Sequence, residues 1–246
     1  NGAVFCAFTN AGQACVSIER AYVVDEVHDA FVRLVVEKTG QLRQCATGEF
    51  DVGPMIFEPQ LAVVEQHVAD ARAKGARVLT GGRRNPTQQG LFFEPTVLVD
   101  VTDEMTIARE ETFGPVLPIL RVRDEEEALR LANDSPYGLN ASVWTRDRRR
   151  GEALAKRIVS GAACVNDCLL TYGVTEAPFG GVKDSGIGRI NGEVGLRSFC
   201  RTQSILIDRF GARAEVLWYP FTARKLGLLR RVMRLVWGTP LGRWLS

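Results

Sequence analysis

Short β-branched runs alternating with helix-period segments predict an α/β protein, an open and mostly parallel sheet with helices on both faces. Extended runs at residues 20–24, 77–80, 115–122, 140–145 and 162–166 are mostly spaced by amphipathic stretches, the rhythm that crossover connections impose. With 46% hydrophobic residues and 24 dispersed glycines, the composition is that of a globular chain rather than a disordered or fibrous one. At 246 residues the chain has room for one large domain or two modest ones around a substantial core.

In chain order, residues 2–8 are small and apolar and read as the end of a buried helix. After the strand at 20–24, Asp25 is placed to cap a helix reaching about Leu42. Its apolar face is read as Val27, Ala30, Phe31, Leu34 and Val35. Residues 60–74 form a second helical pattern stopped by Gly75, followed by the strand at 77–80 and a polar loop to Gly90. Residues 92–99 are extended and 106–110 make a short turn. The strand at 115–122 carries prolines that mark it as an edge. Then come a helix at 125–133, a Ser-Pro-Tyr-Gly turn, the strand at 140–145, a helix at 147–158 and the strand at 162–166. Residues 198–207 read as an extended arm, and 222–237 as a terminal helix.

Charge sets limits on partners. The net charge is only +2, which gives no reason to expect a nucleic acid. Residues 216–246, however, hold six basic groups and no acids, so the rest of the chain carries −4. In the terminal helix Arg224, Arg230, Arg231 and Arg234 fall on one side and Leu228, Leu229, Val232, Leu235 and Val236 largely opposite. Such a helix either packs on protein, the favoured reading, or lies on an anionic membrane surface as a peripheral contact. The six cysteines lack metal-finger spacing, and no metal site is expected. A disulfide framework is not expected either, which points to a reducing, cytoplasmic setting. The two histidines, His28 and His67, are placed on helix exteriors, which argues against a Cys–His hydrolase dyad.

One stretch has the makings of a reactive site. In Phe8-Thr9-Asn10-Ala11-Gly12-Gln13-Ala14-Cys15, Asn10 and Gly12 tolerate positive φ at low cost. The backbone can therefore turn sharply and present the Cys15 thiol beside exposed N–H groups, which favour thiolate and a developing oxyanion. By itself the octapeptide fits a buried structural cysteine equally well.

Phe8-x-Asn10-x-Gly12-Gln13-x-Cys15 resembles the active-site cysteine motif of the NAD(P)-dependent aldehyde dehydrogenase superfamily, and further matches follow in that family's order to about residue 207. The resemblance implies the catalytic-domain fold of that family, Cys15 as the catalytic nucleophile, an aldehyde substrate and NAD or NADP as cofactor. Within Glu110-Glu111-Thr112-Phe113-Gly114-Pro115-Val116 it implies that Glu111 binds the nicotinamide ribose hydroxyls and that Phe113 packs near the ring. Gln60 aligns with a position near the cofactor ribose. In Pro178-Phe179-Gly180-Gly181-Val182-Lys183-x-Ser185-Gly186-x-Gly188-Arg189, Phe179 corresponds to an aromatic lining the aldehyde tunnel, while Lys183 and Arg189 read as structural. Asn166, in Val165-Asn166, either orients groups near the thiol or caps its strand. Ser135-Pro136-Tyr137-Gly138-Leu139 matches an architectural turn.

The implied organisation is a thiol-bearing catalytic domain at 1–197, an oligomerisation arm at 198–210 and a basic amphipathic helical tail at 211–246, with the parent a homo-oligomer. The family's dinucleotide-binding domain and general-base glutamate motif are not in this chain. It is therefore expected to begin mid-fold and to lack turnover alone. A non-catalytic assembly module and a cofactor-free cysteine esterase are the alternatives. The substrate's chain length stays open between succinate semialdehyde and long-chain aldehydes.

Overall fold

A computed structural model describes residues 1–209, 211 and 218–238, and gives the α/β architecture the sequence predicts. Helix α1 (Gly2–Phe8) runs into a tight turn at Thr9–Gly12, followed by strand β1 (Ala21–Val24) and helix α2 (Asp25–Thr39). Next come α3 (Glu58–Ala73), β2 (Arg77–Thr80), β3 (Thr96–Val99), the single-turn α4 (Thr106–Arg109), β4 (Val116–Val122) and α5 (Glu125–Asp134). The remaining elements of the body are β5 (Tyr137–Gly138), β6 (Asn140–Val143), α6 (Arg148–Ala155), β7 (Ala162–Val165), α7 (Leu170–Gly173), β8 (Val182–Lys183) and α8 (Gly192–Ser198). Helix α9 (Ala223–Trp237) lies in the terminal segment.

The main sheet has the strand order β1-β4-β3-β2. β4 runs parallel to β1 and to β3, and only β2 is antiparallel. β5 pairs antiparallel with β8, and β6 pairs parallel with β7. Burial explains the main sheet. All four residues of β3 are buried, as is every residue of β4 except Arg121, the near-continuous apolar run that a strand covered on both faces requires. Helix α2 packs along all four strands, and α1 and α5 pack on β4. Phe8, Phe93, Leu61, Leu98, Ile107, Leu117 and Ile119 fill the centre.

Three readings of the sequence need correction. First, β4 is an interior strand despite Pro118, which pairs with Leu98; the apolar burial of the strand outweighs one missing N–H donor. Second, Asp25 is the first residue of α2, not its cap, and the inward face is rotated. His28, Val35 and Thr39 are buried, while Val27 and Leu34 are exposed. Third, both histidines are buried rather than exterior. Two other helices carry side-chain caps. The Asp124 side chain accepts from Glu127 N, and Asp147 accepts from Arg149 N and Arg150 N.

The chain divides into two compact units, Asn1–Cys200 and Arg201–Ser246. Ser198 closes α8, and residues 201–208 form no strand with the described residues. Ile205, Leu206 and Ile207 are exposed. Of the predicted tail, residues 210, 212–217 and 239–246, including Arg243, lie outside the described residues.

Candidate active site

The turn ahead of Cys15 is built as its residue types suggest. Asn10, Ala11 and Gly12 take φ values of 53°, 56° and 74° in succession. Asn10 and Gly12 accept this readily; Ala11 is the strained member. The turn is locked by its own side chains. Asn10 Nδ2 donates to Gln13 O at 2.9 Å and Gln13 Nε2 donates back to Asn10 O at 2.9 Å. Gln13 Oε1 also accepts from Ile56 N at 2.9 Å, tying the turn to the loop before α3. Ser17 Oγ donates to Cys6 O at 3.0 Å, fixing the other end to α1. Between these anchors Cys15 is exposed and carries a free thiol.

The Glu110–Gly114 segment sits directly against this turn. A Cβ on Gly12 would collide with the carbonyl of Gly114, so only glycine lets the two backbones meet. Glu19, four residues beyond the thiol, accepts from Thr112 N at 2.9 Å and from Phe113 N at 3.2 Å. From α3, Gln60 Nε2 donates to Thr112 O at 2.8 Å, and His67 Nδ1 lies 3.1 Å from Thr112 Oγ1. Thr112 is thus held at three points. The grip explains how Phe113 keeps a φ of 48°, an unfavourable value for an aromatic residue. The Glu111 carboxylate is left exposed and faces the same cavity as Cys15, a space of about 400 Å³ also lined by Glu19, Arg20, Tyr137 and Asn140.

The predicted site residues therefore separate into groups. Cys15 and Glu111 are brought together. Phe113 lies in the same segment as Glu111, and Gln60 supports that segment through its amide; neither is on the cavity wall. Phe179 is buried, edge-on to Tyr172 at 5.4 Å and paired with Ile190, away from the cavity wall. Asn166 also lies off the wall. Its Oδ1 accepts from Thr145 N and its Nδ2 donates to Thr145 O, both at 2.9 Å, which is the strand-capping arrangement. Lys183 and Arg189 hold backbone carbonyls, Lys183 those of Asn133 and Ser135 and Arg189 those of Gly181 and Gly188. Neither histidine lines the cavity.

Two features were missed. Cys6 and Cys168 are joined as a disulfide, with Cα atoms 6.6 Å apart and 162 residues between them, and Cys168 lies on the cavity wall. Glu19 is the second. Burial pushes its carboxyl up from 4.5 to about 7, against the opposing pull of the Thr112 and Phe113 N–H groups. The folded chain then holds a proton that the unfolded chain releases near 4.5, so this group's contribution to stability falls as pH rises from 4.5 to about 7. Relative to wild type, Glu19→Gln is expected to flatten that decline, a difference of at most about 3 kcal/mol by pH 8. Urea unfolding of both proteins between pH 5 and pH 8, on either side of that value of about 7, checks it. Parallel pH profiles would show that Glu19 titrates normally.

Comparison with known proteins places the chain. A profile of the aldehyde dehydrogenase family matches residues 1–205. A putative NADP(+) succinate-semialdehyde dehydrogenase of Mycolicibacterium smegmatis is 46% identical over 205 residues, which is 82% of this chain and 40% of that protein. A 4,4'-diapolycopene aldehyde oxidase of Methylomonas is 40% identical over 221 residues, 90% of this chain and 41% of that one. Among solved structures, a Mycobacterium tuberculosis aldehyde dehydrogenase complexed with NAD+ superposes with a TM-score of 0.80 at 38% identity. That match covers 87% of this chain and 44% of that one. The chain thus spans well under half the length of these relatives.

Proposed function

The chain belongs to the aldehyde dehydrogenase family, and from that membership we propose that Cys15 is the nucleophile of an NAD(P)-dependent oxidation of an aldehyde to an acid. The observation that carries the reading is an exposed thiol on the wall of a 400 Å³ cavity that it shares with a free carboxylate, Glu111. In this reading the Cys15 sulfur adds to the aldehyde carbon, and the oxygen takes up negative charge beside the turn's backbone N–H groups. Loss of hydride from that carbon leaves an acyl group on Cys15 as a thioester, which water then cleaves to release the acid. A bound nicotinamide cofactor supplies the hydride acceptor.

The residues present fit such a cofactor. Glu111 offers an exposed carboxylate that can accept from two ribose hydroxyls at once. Its segment is held rigid by Gln60, His67 and Glu19, so the acceptor stays aimed without its own side chain being spent on structure. Phe113 is the aromatic we assign to the nicotinamide side.

For the substrate we favour succinate semialdehyde over a long apolar aldehyde such as the Methylomonas relative's name suggests. Arg20 supports this choice as the basic side chain on the cavity wall. Its Nη1 donates to Ala108 O at 2.9 Å and its guanidinium sits 5.8 Å from the Tyr137 ring centre, which fixes the charge in place. An aldehyde bearing a distal carboxylate would use that charge; a hydrocarbon would not. In a form of the protein that turns over aldehyde, Arg20→Met is therefore expected to raise KM for succinate semialdehyde about tenfold and leave KM for butanal within about twofold, the scale of one charge-assisted hydrogen bond. Equal changes for both aldehydes would remove the semialdehyde reading. NADP+ reduction that persists in Cys15→Ser would remove the thiol mechanism.

A further inference from the structure

We propose that residues 218–237 form a docking surface for an anionic lipid bilayer, independent of the reading of the Cys15 site. Helix α9 divides cleanly. At about 100° per residue, Arg224, Arg230, Arg231 and Arg234 fall within an arc of roughly 120°. Leu226, Leu228, Leu229, Val232, Met233, Val236 and Trp237 take the remainder. Lys225 alone lies on the apolar side, and its Nζ is turned back to donate to Trp218 O at 2.7 Å. Thr222 caps the helix through Lys225 N.

Within its own unit the apolar face is left uncovered. Leu226 is 50% exposed, Met233 58% and Trp237 77%. Aromatic residues flank the helix at both ends, with Trp218, Tyr219 and Phe221 exposed ahead of it and Trp237 at its last turn. Rings of this kind sit at the headgroup level, with their apolar bodies inward and polar tips in water.

Charge selects the occupant. The 31 residues from 216 onward contain six cations and no carboxylate, while the rest of the chain is net negative. An anionic bilayer surrounds a helix sunk to its headgroup level with phosphates, which the long arginine side chains, Arg224 and Arg230 at the two edges of the arc first, reach by extending sideways. It also accepts the apolar face at the same time, which a soluble polyanion would not. The helix lies on the bilayer and does not cross it. Its 15 residues extend only about 22 Å against a hydrocarbon core of about 30 Å, and no helix among the described residues is long and apolar enough to span one.

The test uses the 246-residue chain sedimented with vesicles of phosphatidylglycerol and phosphatidylcholine in equal parts, and with phosphatidylcholine vesicles alone. Binding is expected to the mixed vesicles only, weakening as salt is added. Arg230→Gln with Arg234→Gln is expected to lower the partition coefficient about 25-fold, from roughly fivefold per charge. Leu226→Asp with Met233→Asp should abolish binding while circular dichroism reports an intact body. Three results would overturn the proposal: no binding to mixed vesicles, equal binding to both vesicle types, or a soluble dimer that Leu226→Asp with Met233→Asp dissociates.

Discussion

In a form of the protein that turns over aldehyde, Cys15→Ala is expected to lower kcat/KM for aldehyde oxidation by about 10,000-fold or more, some 5.5 kcal/mol of barrier. The size follows from what the thiol does in the proposed reaction. It forms the bond that makes the carbonyl carbon tetrahedral, and without that bond there is no oxyanion from which hydride can leave. No other cysteine can substitute. Cys164 is buried, Cys6 and Cys168 are joined, and Cys45 and Cys200 are not on the wall of the cavity holding Glu111. Cys15→Ser is the sharper variant, because it keeps the shape of the site and removes only the sulfur. If either variant retained more than about a hundredth of wild-type activity, covalent catalysis by this residue would be wrong.

The second large effect is structural. Gly12→Ala is expected to destabilise the chain by roughly 3 kcal/mol, a fall in Tm of about 10 °C, and to abolish acylation of Cys15. Two penalties act together. The new Cβ would meet the backbone carbonyl of Gly114, which has no flexible end to swing away, and the φ of 74° is strained for any side chain. Relief of the clash must move the cysteine turn away from the Glu110–Gly114 segment, which separates the thiol from Glu111. Gly188→Ala serves as the control. A Cβ there meets nothing within 4 Å, so a change within about 0.5 kcal/mol is expected. Equal effects at the two glycines would mean that the packing of the cysteine turn on Gly114 does not hold the site together.

These expectations depend on features that differed in how plainly the sequence shows them. The left-handed turn was legible because Asn and Gly are the residue types that tolerate it, and Asn10 and Gly12 stand in the right order before Cys15. Helix α9 was legible because its cations and aliphatics recur at helical spacing; Thr222, read as its first residue, is its cap. Glu19 was not. A carboxylate beside an arginine reads as a solvated pair, and only the fold reveals that Thr112 and Phe113, more than ninety residues away, turn their N–H groups toward it. The same holds for His67, whose helix supplies too weak an amphipathic pattern to fix which side faces inward. Asn166 is an intermediate case. Its motif left open a role near the thiol or a strand cap, and only the fold shows its amide committed to Thr145 in the capping arrangement. Cys6 and Cys168 could not be paired from spacing, since nothing local links positions 162 residues apart.

The central claim is that the Cys15 thiol is aimed into a cavity that receives an aldehyde. Site-resolved alkylation tests it most directly, with iodoacetamide applied to the chain with and without succinate semialdehyde and each cysteine followed by peptide mass. Cys15 should be modified first among the four free thiols and should be the one that the aldehyde protects. Modification of Cys200 or Cys45 ahead of Cys15, with no protection of Cys15 by the aldehyde, would contradict the account.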